Sequence, residues 1–255
     1  MNVIGIIPAR YASTRLEGKP LVDLDGKTMI QRVYEQAKKV LTQVIVATDD
    51  IRIEEVVKNF GGNVIMTSTS HTTGTNRCLE AYKKYSRETD VIFDVILNIQ
   101  GDEPLLDPEQ ITSLVGCFNS KDVEMATLVI PTIKNEDLTS GVYVVFDKNN
   151  NAMYFSRAVI PYHRDTAKED WNNDHTFYKH VGMYGFKPKA LEEFANLEET
   201  ALEESEKLEQ LRWLEQGNKI KIAITNHQSV PIDTAHDLKK VRKIIEGNNP
   251  DRNKE

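Results

Sequence analysis

The stretch Val3-Ile4-Gly5-Ile6-Ile7, running directly into Pro8-Ala9-Arg10-Tyr11-Ala12-Ser13-Thr14-Arg15-Leu16-Glu17-Gly18-Lys19-Pro20, decides the fold. A short continuous apolar run suits a strand buried on both faces, as in a parallel sheet covered by helices. It is far shorter than a membrane span. Pro8 and Arg10 follow at once, and the basic leader and long apolar region of a signal peptide are missing, so a first buried strand is expected. Working outward, Met29 to Val40 carries apolar Met29, Ile30, Val33, Ala37 and Val40 at helical spacing. Val44 to Ala47 is a second strand, and Thr48-Asp49-Asp50 is a helix start. Ile53, Val56 and Val57 continue that helix until Gly61-Gly62 stops it. Val64 to Met66 is a third strand, about Gly74 to Tyr85 a helix, and Val91 to Ile99 a fourth strand. This alternation predicts an α/β domain with a mainly parallel sheet. Ligands of such sheets sit beyond the carboxyl ends of the strands. Pro8 to Lys19 and Gln100 to Asp102 both fall there.

The second half reads differently. Met125 to Pro131 and Val142 to Phe146 are predicted strands, joined through the Asp/Asn-rich turn Asp147 to Asn151 to a hairpin-like stretch from Tyr154 to Ile160. His163 to Thr176 is polar and reads as loop, and Tyr178 to Phe186 as strand. Leu191 to Trp213 is Glu-rich and reads as largely helical, with Leu208, Leu211 and Leu214 spaced by three. Lys219 to Ile224 is a late strand, and Val241 to Ile245 lies in a last helix. No linker divides the chain, so residues 1–255 are expected to form one domain with an inserted subdomain.

The 255 residues are 40% hydrophobic and 28% charged, an ordinary globular balance. A net charge of −7 argues against a protein that coats nucleic acid. Two cysteines, Cys78 and Cys117, exclude a disulfide framework and a Cys-rich zinc site, and fit a reducing, cytoplasmic setting.

Five segments could carry chemistry. Pro8 to Pro20 holds Arg10, Arg15 and Lys19 with hydroxyls and a glycine, the mixture a triphosphate requires, without the spacing of a Walker loop; the plain alternative is a basic surface loop. Asn98-Ile99-Gln100-Gly101-Asp102-Glu103-Pro104 places Asp102 at a strand end, where one carboxylate can serve magnesium or simply shape an acidic turn. Asp233, in Pro231-Ile232-Asp233-Thr234, reads by itself as a helix cap, with a second metal carboxylate as the alternative. In Tyr178-Lys179-His180-Val181-Gly182-Met183-Tyr184, His180 and Tyr184 share a strand face, and Arg157 is suited to clamp a carboxylate. In Leu208-Glu209-Gln210-Leu211 the leucines face a core, and Glu209 and Gln210 point to water or into a polyol pocket. No serine sits in a GxSxG elbow, so a triad hydrolase is not indicated.

Together these segments resemble the 3-deoxy-D-manno-octulosonate (Kdo) cytidylyltransferases. The match runs through IIPARYASTRLEGKPL (6–21), Ala47-Thr48-Asp49, Gly74-Thr75 with Arg77, and NIQGDEPL (98–105). It continues through Met125 to Leu128, YFSRAVIP (154–161), KHVGMYGF (179–186), LEQLR (208–212) and Ile232-Asp233-Thr234. The resemblance implies a nucleotide-diphospho-sugar transferase (Rossmann-like) fold with a smaller dimerisation subdomain, here roughly 132–190, acting as a cytoplasmic homodimer. It implies transfer of CMP from CTP to the anomeric hydroxyl of Kdo, an acidic keto-sugar, with Mg2+ and release of pyrophosphate, for lipopolysaccharide synthesis. By motif match, Arg10, Lys19, Asp102 and Asp233 would be catalytic, and Asp102 and Asp233 would hold the metal. Pro8, Ala9, Arg10, Arg15, Lys19, Thr75 and Arg77 would bind the nucleotide. Gln100, Arg157, His180, Tyr184, Glu209 and Gln210 would line the sugar site. Neither nucleic acid nor membrane is implied as a partner.

Asn76 replaces the usual acid of its motif, Tyr143 stands in place of a lysine, and the loop Arg164 to Thr176 matches no family pattern. A modified octulosonate such as 8-amino-Kdo, or a nonulosonate, is therefore an alternative acceptor. A non-catalytic nucleotide-binding relative is the alternative of another class. A glycosyltransferase would want a DxD motif; Asp23-Leu24-Asp25 has the spacing but sits too early and reads as a turn with Gly26.

Overall fold

The computed structural model describes residues 1–12, 16–228 and 230–247. The chain divides into two compact units, one of Met1–Ile111 with Ser229–Glu255 and one of Thr112–Gln228. The first unit begins with β1 (Val3–Ala9), followed by helix α1 (Met29–Lys38), β2 (Gln43–Thr48) and α2 (Ile51–Asn59). It goes on through β3 (Val64–Met66), α3 (Gly74–Thr89) and β4 (Val95–Asn98). The strands lie in the order β3-β2-β1-β4, all parallel. Ile4, Ile6 and Ile7 of β1 are fully buried, as its unbroken apolar run requires. Thr28, Asp50 and Thr73 each cap the helix that follows by accepting a backbone N–H two or three residues on. The chain leaves β1 towards β2 on one side and reaches β4 on the other, so a topological switch point lies at the carboxyl ends of β1 and β4.

The fourth strand is shorter than expected. Its ladder with β1 opens at Val3↔Val95, and Asp94 instead accepts the Asn2 N–H at 2.7 Å. A helix that the pattern reading passed over, α4 (Pro108–Gly116), carries the chain from one unit into the other. Its start is nonetheless written in the sequence: Asp107 Oδ1 accepts from Glu109 N–H and Gln110 Oε1 from Asp107 N–H, with proline at the first helical position.

The second unit contains β5 (Met125–Pro131), β6 (Tyr143–Phe146), β7 (Ala152–Ser156), α5 (Trp171–Asp174) and β8 (Tyr178–Phe186). Helices α6 (Pro188–Asn196), α7 (Ala201–Glu206) and α8 (Leu211–Glu215) then lead to β9 (Lys221–Ile224). Strand β5 pairs antiparallel with β8 and parallel with β9, and β6 and β7 form the expected hairpin. Its turn is held by Asp147 Oδ1, which accepts from the N–H groups of Asn149 and Asn151 at 2.8 Å each.

Two expectations need correction. The polar stretch 163–176 is not simple loop: Trp171 is buried with Tyr143 and Phe177, and its Nε1–H donates to Thr166 O at 3.0 Å. Residues 191–213 are not one run of helix but three pieces. Lys207 takes a left-handed φ of 52° and ends α7, and Arg212 of α8 turns back to pair with the buried Glu203. Tyr143 is fully buried, its hydroxyl donating to Leu138 O at 2.8 Å, so it serves as core.

The last described element is α9 (Ala235–Gly247), whose Val241 and Ile245 pack with Ile232, Leu24 and Met29 in the first unit. Among the described residues no helix is long and apolar enough to cross a membrane.

Candidate active site

At the switch point of the first unit lies a cavity of about 300 Å³, lined among others by Pro8, Ala9, Arg10, Lys19, His71, Arg77, Gln100, Asp102 and Asp233. Gly101 lets its two polar segments meet, since a Cβ there would lie 3.1 Å from Pro8 O and 3.3 Å from Ile7 Cγ2. Lys19 follows Gly18, whose φ of 64° turns the chain back so that its N–H donates to Tyr11 O at 3.1 Å. The Tyr11 ring is covered by the Arg52 guanidinium, 3.3 Å from its centroid, and Asp50 holds Arg52 through two hydrogen bonds of 2.9 and 2.6 Å.

The Lys19 ammonium sits between two carboxylates, 2.6 Å from Asp102 Oδ2 and 3.0 Å from Asp233 Oδ1. The Ile232 N–H donates to Asp102 O at 2.9 Å and thereby sets Asp233 beside Asp102. Asp233 is not the cap of α9. That role belongs to Thr234 and Asp237, where Asp237 N–H donates to Thr234 Oγ1 and Asp237 Oδ2 accepts from Thr234 N–H. The Asp233 side chain lies against the Lys19 ammonium. Two carboxylates already sharing one cation suit a divalent ion, which takes one or two carboxylates beside phosphate oxygens.

Arg77 is buried at the start of α3, bonded to Asp49 and to Thr67 Oγ1 at 2.7 Å each. Thr75 is buried in the same turn. Gln100, expected on the sugar side, lines this cavity. Arg15 lies outside the described residues. His71 was missed by sequence reading: its Nε2 bonds Glu80 Oε2, which also accepts from Ser68 N–H and lies beside Lys84. Burial alone would raise the Glu80 carboxyl, but the hydrogen bonds from Lys84, Ser68 and His71 outweigh it and bring it down to about 2.

The remaining candidates belong to the second unit. His180 and Tyr184 are four residues apart, which on a regular strand means ~13 Å. Their ring centroids are only 5.3 Å apart. A bulge explains the difference: Thr127 pairs with Tyr184 but Leu128 with Val181, so Gly182 and Met183 drop out of register. Burial depresses the His180 imidazole to about 3, and burial together with Glu209 raises the Tyr184 phenol well above its usual value. Gln210 is 3% exposed and its Nε2 has no hydrogen-bond partner in the structure, whereas its sequence setting left open a solvated face. Arg157 is exposed, with Nε donating to Glu206 O at 2.6 Å and a second N–H to Lys207 O at 3.2 Å, at the end of α7.

Residues 4–220 match the family model described as cytidylyltransferase. The chain belongs to the cytidylyltransferase family. It is 54% identical over 246 residues to the 3-deoxy-manno-octulosonate cytidylyltransferase of Parabacteroides distasonis, covering 94% of this chain and 96% of that protein. It is 46% identical to an 8-amino-3,8-dideoxy-manno-octulosonate cytidylyltransferase of Shewanella baltica, covering 94% and 97%. A solved structure of CMP:2-keto-3-deoxy-manno-octonic acid synthetase complexed with CTP superposes with a TM-score of 0.88 at 37% identity, covering 98% of this chain and all of that one. The expected family, fold class and enzyme class are thus borne out for this cytidylyltransferase.

Proposed function

We propose that this enzyme transfers CMP from CTP to the anomeric hydroxyl of Kdo and releases pyrophosphate, acting with Mg2+ as a cytoplasmic homodimer. One observation carries the reading. A chain 54% identical along its length to a Kdo cytidylyltransferase holds Arg10, Lys19, Asp102 and Asp233 around one cavity at a sheet switch point. The region 132–190 is our candidate for the dimer contact.

In this reading Arg10, Arg15 and Lys19 neutralise the triphosphate, and Arg77 with Thr75 shapes the nucleotide side. Asp102 and Asp233 would hold the magnesium, which when bound supplies positive charge to phosphate oxygens and acidifies a coordinated hydroxyl. Little covalent work falls to the protein, so positioning and charge stabilisation dominate. Lys19 offsets the charge that grows on the departing pyrophosphate. Arg157, His180, Tyr184, Glu209 and Gln210 of the second unit are candidates for the sugar, with Arg157 suited to its carboxylate, and Gln100 is a candidate of the first unit. The Shewanella relative keeps 8-amino-Kdo as a second acceptor to test. Comparing kcat/KM for Kdo, 8-amino-Kdo and a nonulosonate in a pyrophosphate-release assay decides. Kdo is expected to be preferred by at least about tenfold, a difference of ~1.4 kcal/mol in transition-state binding. Preference for another sugar would overturn the assignment.

A further inference from the structure

Thr127 is fully buried on β5 at the bulge with β8. Its Oγ1 lies 2.8 Å from Met183 O, 3.3 Å from Val181 O and 2.9 Å from His180 Nε2. A hydroxyl has one proton to give and lone pairs with which to accept. Both carbonyls can only accept, and an oxygen pair at 2.8 Å is repulsive unless a proton lies between them. The Thr127 proton therefore goes to the carbonyl, and the ring nitrogen must be the donor. We propose that Thr127 is a positioning residue of the sugar site: it holds His180 in the tautomer protonated on Nε2, leaving Nδ1 as a fixed acceptor for a sugar hydroxyl.

The surroundings of the ring support this assignment. Phe155 meets the ring edge-on at 5.2 Å between centroids, and Tyr184 lies on another side. This largely apolar packing disfavours an imidazolium, so His180 meets its ligand as a neutral ring with one donor and one acceptor. Thr127 spends the donor internally. It does so while donating its own proton to Met183 O, so a residue at the bulge that brings His180 and Tyr184 together also sets the ring's polarity. A histidine free to exchange tautomers would present a donor part of the time and lose discrimination for a hydroxyl.

The inference rests on His180 contacting the sugar, and the test separates the two claims. In protein labelled with 15N-histidine, the ring nitrogens of His180, assigned with His180→Gln, are expected to show the Nε2–H tautomer at neutral pH. Thr127→Val should abolish that preference and raise KM for Kdo by about tenfold, the cost of one hydrogen bond, with KM for CTP unchanged. Thr127→Ser should restore both readouts. An Nδ1–H ring in the parent enzyme overturns the proposal even if Thr127→Val fails to fold. So does an unchanged Kdo KM in a folded Thr127→Val enzyme. Absence of turnover with every keto-sugar would instead remove the functional reading, while the tautomer spectrum would still decide the positioning.

Discussion

In the first unit cations of the cavity lie already in contact with carboxylates, whereas in the second unit the candidates around β8 and α8 include the uncharged His180, Tyr184 and Gln210. Lys19 lies between Asp102 and Asp233, and Arg77 against Asp49. Around β8, by contrast, His180 is kept uncharged, Tyr184 keeps its proton, and Thr127 spends its hydroxyl on backbone and ring. The contrast matches the ligands proposed for each side. A triphosphate is bound by exchanging one set of charge partners for another, so its site can hold charge balanced in advance. A sugar is read by hydroxyl donors and acceptors, which demands fixed polarity instead.

The strongest attack on the charged side is Asp102→Asn. It leaves Lys19 with Asp233 alone and removes one expected metal carboxylate. Turnover is expected to fall by about 1,000-fold, the scale for losing one electrostatic stabiliser. Circular dichroism should show the fold unchanged. A loss smaller than tenfold would break the comparison, because phosphate chemistry would then not depend on the paired charges. On the other side, Arg157→Ala should raise the KM for the sugar about tenfold with little change for CTP, as expected for one exposed charged contact. The Arg157 main-chain N–H would still bond Glu206, so the local backbone should persist. Equal losses for both ligands would remove its place on the sugar side.

Stability against pH sharpens the contrast further. Folded His180 stays neutral down to about pH 3, from an ordinary value of 6.5. Between those values the unfolded chain binds the extra proton, so stability falls as the pH drops from 6.5 towards 3. The slope for one proton is about 1.4 kcal/mol per pH unit. Glu80 is depressed from 4.5 to about 2, so it adds a loss below 4.5 of the same sign. Denaturation of His180→Gln beside the parent cancels the Glu80 contribution and should show the shallower slope from pH 6.5 downward. Parallel slopes would contradict a histidine kept neutral in the folded protein. The smallest effect is expected at Tyr143→Phe, which removes a hydrogen bond to Leu138 O and should cost about 1 kcal/mol of stability without changing kcat.

Much of the first unit was legible in the sequence because its strands are continuous apolar runs such as Val3 to Ile7 and Val44 to Ala47, and α2 starts at the expected cap, Asp50. The meeting of Pro8–Lys19 with Gln100–Asp102 followed from parallel topology alone. The alternative roles of Asp233 were not separable, because Asp233, Thr234 and Asp237 could all cap a helix, and only the geometry assigns that role to Thr234 and Asp237. In the second unit, period-two spacing put His180 and Tyr184 on one face. The bulge that brings them together depends on tertiary pairing with Thr127, to which Gly182 was the only local clue. Trp171 hid in a polar stretch for a similar reason: it is buried by residues distant in sequence, Tyr143 among them.

The most direct single measurement is 31P NMR of the parent enzyme with CTP, Mg2+ and Kdo. The expected result is loss of the three CTP resonances and growth, in equal amounts, of pyrophosphate and one phosphodiester signal joining CMP to the sugar. Conversion of CTP to free CMP and pyrophosphate without a sugar phosphodiester, or no consumption of CTP at all, would contradict a Kdo cytidylyltransferase.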